Sequence, residues 1–299
     1  MKEKKSKLFK NEKRTPFAIA GAIILGIYSL TLLFAIFWAA MSSVKDRFDF
    51  FDFPLGLPTE FHFENFTVVF RKLYISVQAG LGSRRVFVPE MFMWSVIFAV
   101  SVCIVAQFSR CCCAYVCAKF RKYRITRIMY TIVIIVMILP IVGNLAASIQ
   151  TFRTFGIYDN LPMYLLTAIG FTGSYFLIYY AAFQGVSWEY AEAAFMDGAG
   201  HFTVMLKIMI PMVKNTMGCL FLLEFIGLWN DYNVPMVYLP SYPTIAYGLY
   251  TFQFSNISEA SSVPVQLAAC LVVMFPILVL YVIFNKQLIG NISIGGLKG

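Results

Sequence analysis

Few side chains in this 299-residue chain have the type and spacing to do chemistry, and they gather in two stretches. The first is Glu224, Trp229, Asn230, Asp231 and Asn233, inside the run EFIGLWNDYN. Carboxylates and amides hydrogen-bond hydroxyl groups or hold cations, and an indole ring packs on the apolar face of a ligand. Charges inside an apolar run are costly and face a cavity or a partner. These five residues are therefore candidates to line the pathway of a polar solute. Glu224 and Asp231 are alternatively ion-coupling groups, and the whole set can instead hold its helix to a neighbouring subunit or shape a gate. The second stretch runs from Glu192 to Pro211, within SWEYAEAAFMDGAGHFTVMLKIMIPMVKN at Ser187 to Asn215. It is too polar to span a membrane and too patterned for a slack loop.

No catalytic signature accompanies them. The phosphate-cradling G-x-x-x-x-G-K-[ST], H-E-x-x-H and G-x-S-x-G patterns are all absent from the sequence. His62 and His201 are too far apart to form a pair, and Cys111, Cys112, Cys113 and Cys117 lack the separated pairs of a zinc site. Those thiols read as inert or lipid-facing, with acylation or adventitious metal binding as the other options. The chain is expected to be no enzyme and to bind no cofactor or metal of its own.

The elements that position these residues follow from composition. The chain is 60% hydrophobic and only 13% charged, with 30 Phe and 17 Tyr. A soluble domain carries about 25% charged residues, so the bilayer is the expected solvent. The +9 net charge does not indicate nucleic-acid binding. Seven basic residues fall in the first fourteen positions and five between Lys119 and Arg127, and both clusters flank apolar runs.

A bilayer-spanning helix needs about 20 apolar residues. Six segments qualify: Phe17–Met41, Pro89–Cys117, Thr126–Ile149 (kinked at Pro140), Leu161–Gln184, Pro211–Val237 and Pro264–Phe284. With both termini inside, inner segments hold fifteen Lys and Arg against seven outside, the orientation that basic loops impose. Arg110, at the inner end of the second span, is expected to snorkel. Asn144 and Gln150, beside Pro140, read as packing. The predicted organisation is a basic tail (1–16), a first span (17–41), an outer loop forming a small folded cap (42–88), a core (89–285) and a C-terminal tail (286–299). Within the core, residues 187–211 make a short helix, a sharp turn at Asp197-Gly198, and a second helix that feeds the fifth span at Pro211.

That inner segment resembles the EAA loop of permeases in ATP-binding-cassette importers. The family pattern is E-A-A, three residues, G, nine residues, I-x-L-P. Here it reads Glu192-Ala193-Ala194, Gly198, Ile208, Ile210-Pro211, with only the Leu replaced. Asp197 and Ala199 match the D-G-A form of sugar permeases. The stretch Trp229-Asn230-Asp231-Tyr232 and the ending Gly295-Gly296-Leu297-Lys298-Gly299 are similar to the maltose-type branch. The similarity covers roughly the second span to the end.

The resemblance implies an all-α polytopic fold of six transmembrane helices with a MetI-like permease core, both termini inside. It implies a subunit of a bacterial inner-membrane importer for a di- or oligosaccharide. Its partners would be a second, MalF-like permease, two ATPase subunits that carry the ATP and Mg, an extracytoplasmic sugar-binding protein and membrane lipid, with no nucleic acid. Glu192, Ala193, Ala194, Phe195, Met196, Asp197, Gly198, Ile208 and Pro211 would dock on the ATPase, with Phe195 and Met196 filling apolar pockets and Glu192 meeting a basic rim. Gly296, Lys298 and Gly299 would reach between the ATPases. Glu224, Trp229, Asn230, Asp231 and Asn233 would line the sugar pathway, although the sugar contacts can sit on the other permease. The acidic face of 189–197 separates it from a Lys/Arg-rich helix lying on the membrane surface. An ion-coupled secondary transporter and a membrane scaffold are the alternatives.

Overall fold

The computed structural model describes residues 16–79, 82–139, 143–254 and 262–292, with side chains described as far as 283. It is mostly helical. The chain divides into two compact units, Met1–Val69 with Ile257–Val272, and Phe70–Asn256 with Val273–Gly299.

In the first unit, α1 (Pro16–Ser43) is apolar on every side, so it has no preferred face. Its large side chains, among them Leu25, Tyr28 and Phe34, are exposed, as lipid contact requires. The chain after it folds back on itself. Trp38 donates its indole N–H to the Pro54 carbonyl (2.8 Å), and the buried Lys45 donates to the Phe53 carbonyl (2.6 Å). Asn65 donates to the carbonyls of Ser43 and Lys45. A short α2 (Arg47–Asp52) is capped by the Asp46 carboxylate, which accepts from the Phe48 N–H at 3.0 Å. That bond holds the Asp46 carboxyl below its ordinary range. The helix α3 (Glu64–Lys72) follows.

The second unit opens with a hairpin, β1 (Tyr74–Ala79) against β2 (Gly82–Phe87), antiparallel with Tyr74 opposite Phe87 and Val77 opposite Arg84. An all-α reading misses it. The cause is local: Ile75 and Val77 alternate with Ser76 and Gln78, and the two β-branched side chains are buried. Pro89 then opens α4 (Val88–Lys119), a helix of 32 residues. It is the axis of the unit, with α8 (Ser174–Gln184) and α12 (Lys214–Trp229) packed along it.

Three expected spans are interrupted. The third divides into α5 (Arg124–Ile138) and α6 (Leu145–Thr154); Pro140 itself lies outside the described residues. Asn144 sits at the N-cap of α6 without a side-chain capping bond. The fourth is α7 (Leu161–Tyr164) with a 3₁₀ turn to Ala168, then α8 after Gly173, whose φ is +109°. The fifth begins at Lys214 rather than Pro211 and stops at Trp229, with α13 (Asn233–Tyr238) and α14 (Ile245–Gln253) beyond. The last helix, α15, is Val263–Ile292. Among the described residues, three helices have the length and composition to cross a membrane, and a fourth crossing results if one bent pair counts as a span.

A helix break leaves backbone groups that need other partners. Ser109 of α4 donates its hydroxyl to the Gly170 carbonyl in the fourth-segment break (2.9 Å). Trp229 donates to the Val273 carbonyl of α15 (3.3 Å).

Candidate functional site

The second stretch singled out in the sequence, residues 187–211, begins with α9 (Glu189–Met196). Ala191 and Ala194, three residues apart on one face, are buried, and Ala has the size for close approach to the core. The helix ends in a Schellman turn: Gly198 N–H bonds the Phe195 carbonyl (3.0 Å) and Ala199 N–H the Ala194 carbonyl (2.9 Å). Gly198 occupies the left-handed position of that turn, φ +83°. The Asp-Gly signal in the sequence thus reports a real chain reversal.

Glu192, Ala193, Met196 and Asp197 are exposed, Met196 by 88%. Phe195 departs from the expectation of an outward anchor. It packs inward, its ring 4.7 Å from His201 and 6.1 Å from Trp188. Helix geometry explains the difference: Phe195 follows the buried Ala191 by four residues, whereas Met196 turns to the free side. Phe202, across the turn, and Tyr190, on α9 itself, are also large and exposed.

The return arm comprises α10 (His201–Val204), a π turn over Met205–Met209, and α11 (Ile210–Met212). Pro211 lacks the N–H that a regular helix would aim back at residue 207, and its ring crowds that carbonyl. The widened turn before it, closed by the Ile210 N–H on the Met205 carbonyl, accommodates this. Ile208 is half-buried in the core. At Val213 the chain bends by 74° into α12.

Residues 191–213 and the helices α4, α8 and α12 share one core. Cys111, Ala114 and Cys117 of α4, Phe176, Tyr179 and Phe183 of α8, Ala191 and Ala194 of α9, Val204, Met209, Val213 and Leu220 are all buried in it. The cysteines are free, those of α4 being buried or half-buried, and no group of three or more metal-ligating side chains occurs among the described residues.

The five candidate pathway residues have separate surroundings. Glu224 accepts two bonds from Arg110 Nη1, at 2.6 and 2.8 Å, and one from the Gln107 amide. Gln107 also donates to the Leu220 carbonyl (3.2 Å) and accepts from the Tyr179 hydroxyl (2.8 Å). Arg110 thus reaches into the helix packing instead of snorkelling, because a carboxylate is available there. Trp229 is buried, stacked near Phe225 at 5.8 Å and bonded to Val273. Asn230 bonds the Ile226 carbonyl of its own helix. Asp231 accepts from the N–H groups of Asn233 and Val234, starting α13. Asn233 is exposed. Gln107 and Tyr179 were not singled out from sequence. The available signal was the i, i+3 spacing of Gln107 and Arg110, two polar residues on one face of an apolar helix. The expected tail contacts Gly296, Lys298 and Gly299 lie outside the described residues.

Toward the other end of α4, Phe98, Val102, Leu161 and Leu239 form a second buried cluster, edged by Trp94, Tyr164 and Tyr242. Beside it the Asp159 carboxylate accepts from the Ser241 N–H (2.8 Å) and hydroxyl (2.6 Å).

Residues 111–292, which contain the stretch 187–211, match the family described as "Binding-protein-dependent transport system inner membrane component". The chain belongs to that family. The permease is 25% identical over 282 residues to the diacetylchitobiose uptake system permease protein NgcG of Streptomyces coelicolor, covering 93% of this chain and 88% of that one. It is 22% identical over 289 residues to the arabinooligosaccharides transport system permease protein AraQ of Bacillus subtilis, at 95% and 96% coverage. Its fold resembles a chain of a bacterial ABC transporter involved in the import of the acidic polysaccharide alginate. That match has a TM-score of 0.74 and 21% identity, over 92% of this permease and 98% of that chain. Members of this family are translocation components rather than enzymes.

Proposed function

We propose that this permease is one membrane-spanning subunit of an ATP-driven bacterial importer for a di- or oligosaccharide, and that residues 187–211 receive the stroke of its ATPases. The observation that carries the reading is the mounting of α9. Its buried alanines join it to the same core as α4, α8 and α12, while Met196, Glu192 and Phe202 stay exposed. A push on that face moves the membrane helices directly. Met adapts to a groove that changes shape, and Glu192 suits a basic rim. Relatives named for diacetylchitobiose and for arabinooligosaccharides support the sugar assignment.

In this reading the chain makes six crossings with both termini inside, the interrupted segments 124–154 and 161–184 providing two of them. A second permease of MalF-like type completes the pathway. Two ATPase subunits hold ATP and Mg, a sugar-binding protein delivers cargo from outside, and the tail at Gly296–Gly299 reaches the ATPases. An ion-coupled mechanism is disfavoured, because Glu224 is bound by Arg110 and Asp231 by the backbone of its own turn.

The test is co-purification after co-expression with the neighbouring importer genes. The wild-type chain should retain an ATPase subunit, and Glu192→Lys and Gly198→Val should each shed it. An importer reading fails if the wild type retains none, or if uptake survives ATP depletion and collapses with a protonophore.

A further inference from the structure

Docking leaves the Arg110–Glu224 pair without a role. Both side chains are largely buried, 18% and 12% exposed, in apolar packing. One carboxylate collects Arg110 and Gln107 from α4, and Gln107 brings in Tyr179 from α8 and the Leu220 carbonyl of α12. Three helices therefore meet at one node. The node adjoins the shared core, since Tyr179 and Leu220 are members of it and Cys111, next to Arg110, is another. The same core carries α9 and the return arm.

Apolar contacts are non-directional and let helices slide past one another. A carboxylate gripped by a guanidinium and an amide fixes distance and orientation. In a membrane interior the two charges cannot part without leaving each unpaired. We propose that Arg110 and Glu224 are a positioning pair that makes α4 and α12 move as one body when the docked motor displaces residues 189–212. This rests on the importer reading for the motor. The pair itself touches neither nucleotide nor docking face.

The experiment uses the assembled importer with its ATPases, reconstituted in lipid. Spin labels are placed by non-canonical residues at Ile104 of α4 and Leu223 of α12, both exposed on the unit's surface. Their separation is measured without nucleotide and after trapping with Mg-ATP and vanadate. The wild-type distribution should be the same in both states. Glu224→Gln should broaden it, with a shift on trapping of up to about 5 Å, one helical turn. Glu224→Asp and the exchanged pair Arg110→Glu/Glu224→Arg should restore the invariant distance. A wild-type separation that changes on trapping overturns the proposal, and so does a Glu224→Gln complex that keeps the wild-type distances. Where Glu224→Gln fails to assemble, Arg110→Gln is read in its place, with the same two outcomes. Absence of a co-purifying ATPase sinks the importer reading instead, before any distance is measured.

Discussion

Gly198→Ala isolates a single backbone effect at the turn after α9. The glycine has φ +83°, and a Cβ built there meets no atom within 4 Å. The substitution therefore adds no clash inside the chain, only the left-handed penalty of roughly 1–2 kcal/mol for an L-residue. Ala also restricts the unfolded chain, but at positive φ the native-state strain exceeds that gain. A loss of 1–2 kcal/mol lowers the weight of the Schellman turn by a factor of about 5–30. Asn tolerates this conformation and should lose less; Val, branched at Cβ, should lose more. Each variant is purified with its ATPase, and two quantities are read: ATPase retained per permease, and the thermal midpoint of the permease alone in detergent. Both should fall in the order Gly, Asn, Ala, Val. Equal loss of ATPase for Asn and Ala at an unchanged midpoint would refute the reasoning, because the added side chain would then be colliding with the partner. An Ala variant indistinguishable from wild type in both assays would refute it as well.

Two further predictions concern packing. Trp229→Phe removes the N–H that reaches the Val273 carbonyl and should cost about 1–3 kcal/mol, whereas Trp229→Ala also empties a buried ring site and should cost about 3–5 kcal/mol; thermal unfolding in detergent separates the two, and a neutral Phe variant would remove the hydrogen bond from the account. A Cβ at Gly248 would lie 2.5 Å from Met91 Sδ and 3.0 Å from Leu73 Cδ2, so Gly248→Ala should destabilise by about 1–3 kcal/mol, with partial recovery when Met91 is shortened to Ala; no recovery would mean that the crowding is not with Met91.

The features legible in the sequence are local ones. The helix before Asp197-Gly198, the turn there and its small-residue face follow from residues within one or two turns of each other, and all appear in the structure. The spans are legible as apolar composition but not as continuous helices, because composition stays apolar through Val213 and Ile169–Gly173 while the backbone bends or breaks. Phe195 shows the limit of residue type alone: an aromatic beside an exposed methionine looks like an anchor until helix phase turns it inward. Arg110 reads as a snorkelling residue because its partner lies 114 residues away, on a helix whose neighbours no local pattern reveals. The hairpin at 74–87 was hidden for another reason. Its alternation of Ile75 and Val77 with polar residues is short and set in a loop of mixed charge.

The short length of α12 has a consequence for the host membrane. Sixteen residues rise about 24 Å, against a hydrocarbon layer of about 30 Å. The 11 residues of α8 fall further short. If these interrupted helices meet lipid as the proposed crossings require, the lipids beside them thin locally, or the turns at Val213 and Trp229 sink below the headgroups, at fractions of a kcal/mol per ångström of mismatch. Acyl-chain length therefore enters the energy of the bend through which the ATPase stroke would reach the membrane, and bilayer thickness becomes a tuning parameter of transport alongside nucleotide and cargo.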